Sequence, residues 1–134
     1  LEELENLSEV HVFRYDESEK CNYQYIVLEI ADEASLSRDE LMEILWAENV
    51  LARRYFHPGC HRMEPYLSRF PDVAKRLPET EKLSRRLLQL PTGTVVGSSE
   101  IRCVCRIIRF ALDHGSELKK QMAQRARMRP QAAG

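Results

Sequence analysis

The sequence predicts an α+β fold, a small, mainly antiparallel sheet covered by helices as a two-layer sandwich. Three observations carry this. Short alternating and β-branched runs stand near the amino end, and longer runs of 3.6-residue period fill much of the rest. A capped helical run separates the second strand pattern from the third, and such a layering buries one sheet face.

The elements follow in order. Leu1, Leu4 and Leu7 recur as at the end of an amphipathic helix. Val10–Tyr15 alternates like a half-buried strand, and after the polar "DESEKCN" loop Tyr23–Ile30 reads as a more central one. Ser37 with Glu40 three residues on is a capping box, and it opens a helix over Arg38–Glu48. Asn49 suits the left-handed turn that ends it. Val50–Phe56 is the third strand, stopped by Pro58-Gly59.

Pro65 and Pro71 punctuate an irregular segment with a short helix near Asp72–Arg76. A helix over Glu79–Leu90 places Leu83, Leu87 and Leu90 inward, and "PTGTVVG" breaks it. Ser98 or Ser99 caps the last clear helix, Ser99–Leu112. The expected core comprises Ile26, Leu28, Leu41, Leu45, Leu87, Ile101, Val104 and Ile108. Residues 1–115 form one folded domain, and 116–134 a basic, flexible tail.

Composition narrows the function classes. A chain of 134 residues suggests one domain with a modest core. The net charge of −1 shows no basic excess for nucleic acid. No apolar run approaches the roughly 20 residues of a membrane helix. Cys21, Cys60, Cys103 and Cys105 are unevenly spaced, which fits reduced thiols and a cytoplasmic setting. Leu1 stands where Met would, so the start reads as a cut end of a longer chain.

The densest reactive stretch is "ARRYFHPGCH", Ala52 to His61. Zinc on His57, Cys60 and His61, completed by Cys103 and Cys105, is disfavoured. "CVC" lies on a helical pattern, where positions two apart face different ways, and there is no CxxC pair. Cys103 and Cys105 read as small core residues. A Cys60–His nucleophile is disfavoured too, because sequence neighbours rarely make a catalytic pair. His11 and His114 read as surface residues. A period of two puts Leu51, Arg53 and Tyr55 on one strand face and Val50, Ala52, Arg54 and Phe56 on the other.

Taken in order and spacing, "NYQYIVLEI", "SRDELMEILWAENVLARRYFHPGCHRMEPY" and "LPETEKLSRRLLQLPTGTVVGSSEIRCVCRIIRFAL" resemble the C-terminal part of the DegT–DnrJ–StrS family. These are pyridoxal-phosphate-dependent sugar aminotransferases of the type I fold. The resemblance implies that this chain is the small C-terminal domain, closing over a missing N-terminal large domain that holds the cofactor. It implies a homodimer and amino transfer, often from glutamate, to a nucleotide-linked keto sugar.

None of the five lysines, Lys20, Lys75, Lys82, Lys119 and Lys120, sits in a setting like the family's cofactor lysine, and no Gly-rich phosphate cradle is visible. The chain alone is therefore expected to be inactive and to bind no pyridoxal phosphate. The resemblance places Tyr55, His57 and His61 beside the bound sugar nucleotide as hydrogen-bonding residues. Arg53 or Arg54 would pair with a phosphate or with a carboxylate of the large domain. For His61 the competing reading is a purely structural turn residue. For the whole chain the alternative is a free-standing module that binds or regulates a partner without catalysis.

Overall fold

The computed structural model describes residues 2–93 and 96–128. Leu1, Thr94, Val95 and 129–134, the end of the expected tail, lie outside the described residues. A single 3-10 turn over Glu2–Leu4, with Leu4 buried, replaces the expected helix end. Then come β1 (Val10–Val12), β2 (Ile26–Ile30), α1 (Arg38–Ala47) and β3 (Arg53–Arg54). Next are α2 (Tyr66–Arg69), α3 (Pro78–Arg86), β4 (Leu87–Leu90), α4 (Ser98–Asp113) and α5 (Gly115–Met128). The expected helix near Asp72–Arg76 is a 3-10 turn over Val73–Arg76.

The strands make one antiparallel sheet in the order β1-β2-β4-β3. The α+β class and the covered antiparallel sheet are as the sequence predicts. The main difference is β4. Leu83, Leu87 and Leu90 have helical spacing, yet the helix stops at Arg86 and the next four residues are extended. Extended, Leu88 and Leu90 point together into the core, paired in register with Leu28 and Ile26. Leu87 and Gln89 face the other way, so Leu87 leaves the expected core and Leu83 is 36% exposed. Tertiary pairing outweighs a small propensity difference here: β4 gains ladder partners on both edges.

Strands β1, β2 and β3 are shorter than expected. Phe13 still donates its amide to the Val27 carbonyl, but the ladder then gives way to the loop, and Tyr23 takes a positive φ of 49°. Phe56 does the same at φ 46°, which ends the alternation and leaves it 72% exposed.

The core joins Val10, Val12, Leu28, Ile30 and Leu88 of the sheet to Leu41, Leu45, Ile108 and Leu112 of α1 and α4. Each fully buried aliphatic chain contributes about 1.5–3 kcal/mol. Ile26, Ile101 and Val104 sit at its margin. Cys105 is in the core, but Cys103 is exposed, a correction that follows from their turning to different sides of α4.

Helix α1 opens on the expected capping box. The Ser37 amide donates to Glu40 Oε2 at 2.7 Å, and the Ser37 hydroxyl accepts the Glu40 amide at 3.3 Å. Asn49 takes a φ of 60°, and the Val50 amide reaches back to the Leu45 carbonyl at 2.8 Å. The N-cap of α4 lies one residue before the expected Ser98, and the helix starts at Ser98 itself. Gly97 is the N-cap, and its amide donates to Glu100 Oε2 at 2.9 Å.

Where a flexible tail is expected after residue 115, the structure has α5. Gly115 permits the tight α4–α5 junction, since a Cβ there would lie 2.5 Å from Ser35 Oγ. Leu118 packs on the core, and Lys119 Nζ lies 3.3 Å from Glu40.

This packing generates a stability prediction. Ile108→Ala and Leu88→Ala each lower the unfolding free energy of the chain in urea by about 2–5 kcal/mol. Leu87→Ala costs less, because that side chain is on the open face. Equal losses at Leu87 and Leu88 contradict the strand.

Candidate functional site

The sheet face turned away from α1 and α4 carries Val27 and Glu29 of β2, Leu87 and Gln89 of β4, and Arg53 of β3. At one end of this face the loop after β1 stands beside it and frames an open pocket of about 420 Å³. Its walls are mainly aromatic and aliphatic, from Phe13, Tyr15, Tyr25, Tyr55, Val27 and Leu87. Its polar groups are Arg14, Asn22 and Gln24.

Local hydrogen bonds set the wall. The Tyr15 hydroxyl donates to the Tyr25 carbonyl at 2.7 Å and accepts the Tyr25 amide at 3.1 Å, so one phenol ties the two strands of the loop together. Gln24 Nε2 donates to the Tyr25 hydroxyl at 3.2 Å. The Tyr25 and Tyr55 rings meet edge to face at 5.8 Å, which joins the loop to the end of β3. Tyr55 itself is fixed by its amide, which donates to the Leu87 carbonyl at 3.4 Å. Flat apolar walls with amides and one guanidinium suit a ligand with a ring and polar or anionic substituents.

Of the five residues expected to face a substrate, Tyr55 lines this pocket. Arg53 lies on the same sheet face and is exposed. His57 is exposed in the turn that follows. The other two have their polar atoms engaged elsewhere. Arg54 turns to the helix side, where its Nε donates to Asp39 Oδ1 at 2.9 Å. Arg38, 3% exposed, donates to the same oxygen at 2.6 Å and to the Leu87 carbonyl at 2.8 Å. Burial pushes the Asp39 carboxyl up, but the hydrogen bonds from Arg54 and Arg38 outweigh it and hold it below the ordinary carboxylate range.

His61 lies against α3. Its Nε2 is 2.5 Å from Glu81 Oε1, with the imidazole side chain 8% and the carboxylate 12% exposed. Arg62 Nε donates to Glu81 Oε1 at 2.7 Å, and its Nη2 donates to Oε2. Arg85 is a looser partner at 3.8 Å. The Arg62 fork first, then His61, hold the Glu81 carboxyl down at about 2. An ionised carboxylate only accepts, so His61 Nε2 carries the proton and donates it.

Neither Phe13, Arg14, Tyr15 and Tyr25 nor the amides of Asn22 and Gln24 were candidates from the sequence. The loop beside the sheet leaves no periodic signal; the aromatic density of "NYQY" is its one trace. Burial pushes the Cys105 thiol up, away from the thiolate a nucleophile needs. No three His, Cys, Asp or Glu side chains converge as a metal set among the described residues. No helix among them is long and apolar enough to cross a membrane.

The sequence and the fold match known proteins. Residues 1–109 match the model of the DegT/DnrJ/EryC1/StrS aminotransferase family, and the chain belongs to that family. The family match ends before α5. Over 85 residues the chain is 29% identical to a dTDP-4-amino-4,6-dideoxy-D-glucose transaminase of Escherichia coli, covering 63% of this chain and 23% of that protein. A crystal structure of DesI in the presence of its TDP-sugar product superposes with a TM-score of 0.77 at 39% identity, over 91% of this chain and 31% of that one. The chain thus spans about a quarter to a third of these relatives.

Family members generally use pyridoxal phosphate. The lysines of this chain do not fit that group in the pocket. Lys75 is paired with Asp72 and Lys119 with Glu40, while Lys20, Lys82 and Lys120 stand exposed. None of the five lines the pocket.

The Glu81 cluster predicts a pH dependence. Its folded value, about 2, is below the ordinary 4.5, so its stabilising effect is full above pH 4.5 and is lost as pH falls toward 2. Wild type therefore loses more stability across that window than Glu81→Gln does, as urea midpoints at several pH values will show. Parallel acid profiles contradict the ion-pair geometry.

Proposed function

We propose that this chain is the C-terminal small domain of a pyridoxal-phosphate-dependent aminotransferase. The whole protein would move an amino group, from glutamate, to a nucleotide-linked keto sugar. The observation that carries the reading is the aromatic pocket on the open sheet face, found in a chain of this family and containing Tyr55, one of the three residues the resemblance sets beside the sugar nucleotide. The E. coli and DesI relatives, whose names record TDP sugars, support the same substrate class.

In this reading the cofactor and its lysine belong to the larger part of the protein, and the working form is a cytoplasmic homodimer. The cofactor would supply the electron sink for amino transfer. This chain's residues bind and orient. Tyr55 offers a hydroxyl to the pocket, and the exposed Arg53 and His57, each two residues from it in sequence, would meet sugar or phosphate oxygens. The wall of Phe13, Tyr25 and Leu87 excludes water from the ring it covers. His61 and Arg54 act indirectly, by holding the turn and the strand through Glu81 and Asp39.

Two experiments test this. In the longer protein, supplied with glutamate and a TDP-linked keto sugar, Tyr55→Phe lowers kcat/KM by about tenfold, the loss of one hydrogen bond. Cofactor occupancy and Tm stay unchanged. Wild-type turnover of the keto sugar with no change in Tyr55→Phe removes Tyr55 from the site, and no turnover of any nucleotide-linked keto sugar contradicts the function. The 134-residue chain alone, mixed with pyridoxal phosphate and dialysed, retains none. Stoichiometric cofactor fixed by borohydride on one of its own lysines contradicts the division of labour.

A further inference from the structure

We infer that Glu81 is the positioning residue of the 57–62 turn: through His61 and Arg62 it fixes where that turn, and with it His57, stands relative to the aromatic pocket whose Tyr55 precedes it. The inference rests on the substrate reading of the pocket for its consequence, and on geometry alone for its mechanism.

Apart from packing against α2 and the 3-10 turn over Val73–Arg76, the turn has little else to hold it. His57, Cys60, Arg62 and Met63 are exposed, so burial anchors it weakly. Its internal hydrogen bonds, from the Arg62 amide to the Gly59 carbonyl at 3.0 Å and from the Met63 amide to the Cys60 carbonyl at 3.1 Å, shape the turn without attaching it to the sheet. Attachment comes from the Glu81 carboxylate, which takes both the imidazole of His61 and the fork of Arg62. The two arms differ in setting: the His61 ring is nearly out of water, whereas the Arg62 side chain is 49% exposed and screened.

Gly59 belongs to the same device. Its φ is +87°, and a Cβ there would lie 2.8 Å from His61 Cε1. Any other residue would strain the turn and push the ring off Glu81. The clamp also has a fixed reference. Helix α3, which carries Glu81, runs straight into β4, and the first residue of β4, Leu87, both lines the pocket and accepts the Tyr55 amide. Turn and pocket wall are thereby measured from one continuous stretch of backbone. Glu81 itself does not line the pocket, so it acts through His61 and Arg62 and not on the ligand.

The test uses the longer protein with Glu81→Ala, Glu81→Gln and Glu81→Asp. Amide hydrogen exchange is followed over 57–63 and over α4, and dTDP and UDP are titrated as probes. Glu81→Ala speeds exchange at the Arg62 and Met63 amides by on the order of tenfold or more while α4 keeps its protection. It also weakens the nucleotide that wild type binds by about tenfold. Glu81→Gln falls between, and Glu81→Asp, which restores the charge, recovers part of the loss. Should Glu81→Ala fail to fold, Glu81→Gln carries the comparison. Unchanged exchange over 57–63 in Glu81→Gln and Glu81→Ala overturns the positioning role. Faster exchange in 57–63 and α4 alike overturns it too, since that is general destabilisation. If wild type binds neither nucleotide, the substrate reading of the pocket is at fault, and the exchange result still decides for Glu81.

Discussion

Strand β4 is the constraint on which the rest of the molecule depends. It is four residues long and hydrogen-bonded on both edges, so β2 and β3 are sheet neighbours only through it. Its backbone is also where the two sides of the molecule meet. The Leu87 carbonyl accepts from the buried Arg38 guanidinium on α1 and from the amide of Tyr55. A carbonyl has two lone pairs, and both directions are used. On one side Leu88 completes the core under α1 and α4; on the other Leu87 floors the pocket.

The placement of the site follows from that strand. Because β4 is central, the end of β3 can lie over its first residue, and Tyr55 is brought opposite Tyr25 of the loop before β2. Because α3 enters β4 without a connecting loop, its carboxylate at Glu81 stands at a fixed offset from the pocket floor. The charges nearby are then sorted by partner. Arg54 is held by Asp39, and His61 and Arg62 by Glu81, which leaves Arg53 and His57 as the exposed cationic or protonatable groups at the end of β3. Buried or half-buried charges need such partners, and meeting that need fixes the surface left for a ligand.

Much of the fold was legible in the residues. The Ser37–Glu40 box, the Asn49 turn and the apolar stripe of α4 are local rules with local causes, and the structure obeys them. Leu87–Leu90 was not legible, because Leu-Leu-Gln-Leu satisfies a helical period and a strand period about equally; the choice rests on ladder partners distant in sequence. The tail hid α5 for a similar reason, since a basic, polar segment gives no stripe, and what seats it is the close approach of Gly115 to Ser35. At the site, the strand end at Tyr55 could be read from "ARRYFHPGCH". The loop that forms the opposite wall, and the carboxylate twenty residues away that takes up His61, could not.

We propose that the open sheet face of this domain meets the nucleotide-linked sugar. The most direct measurement is a crystal structure of the longer protein with a TDP-linked amino sugar bound. The expected result is a ligand in contact with the wall formed by Tyr25 and Tyr55, with Arg53 or His57 on an oxygen of its sugar or phosphates, and with Glu81 still bonded to His61. A ligand held wholly by the rest of the protein, with this face covered by something else, would contradict it.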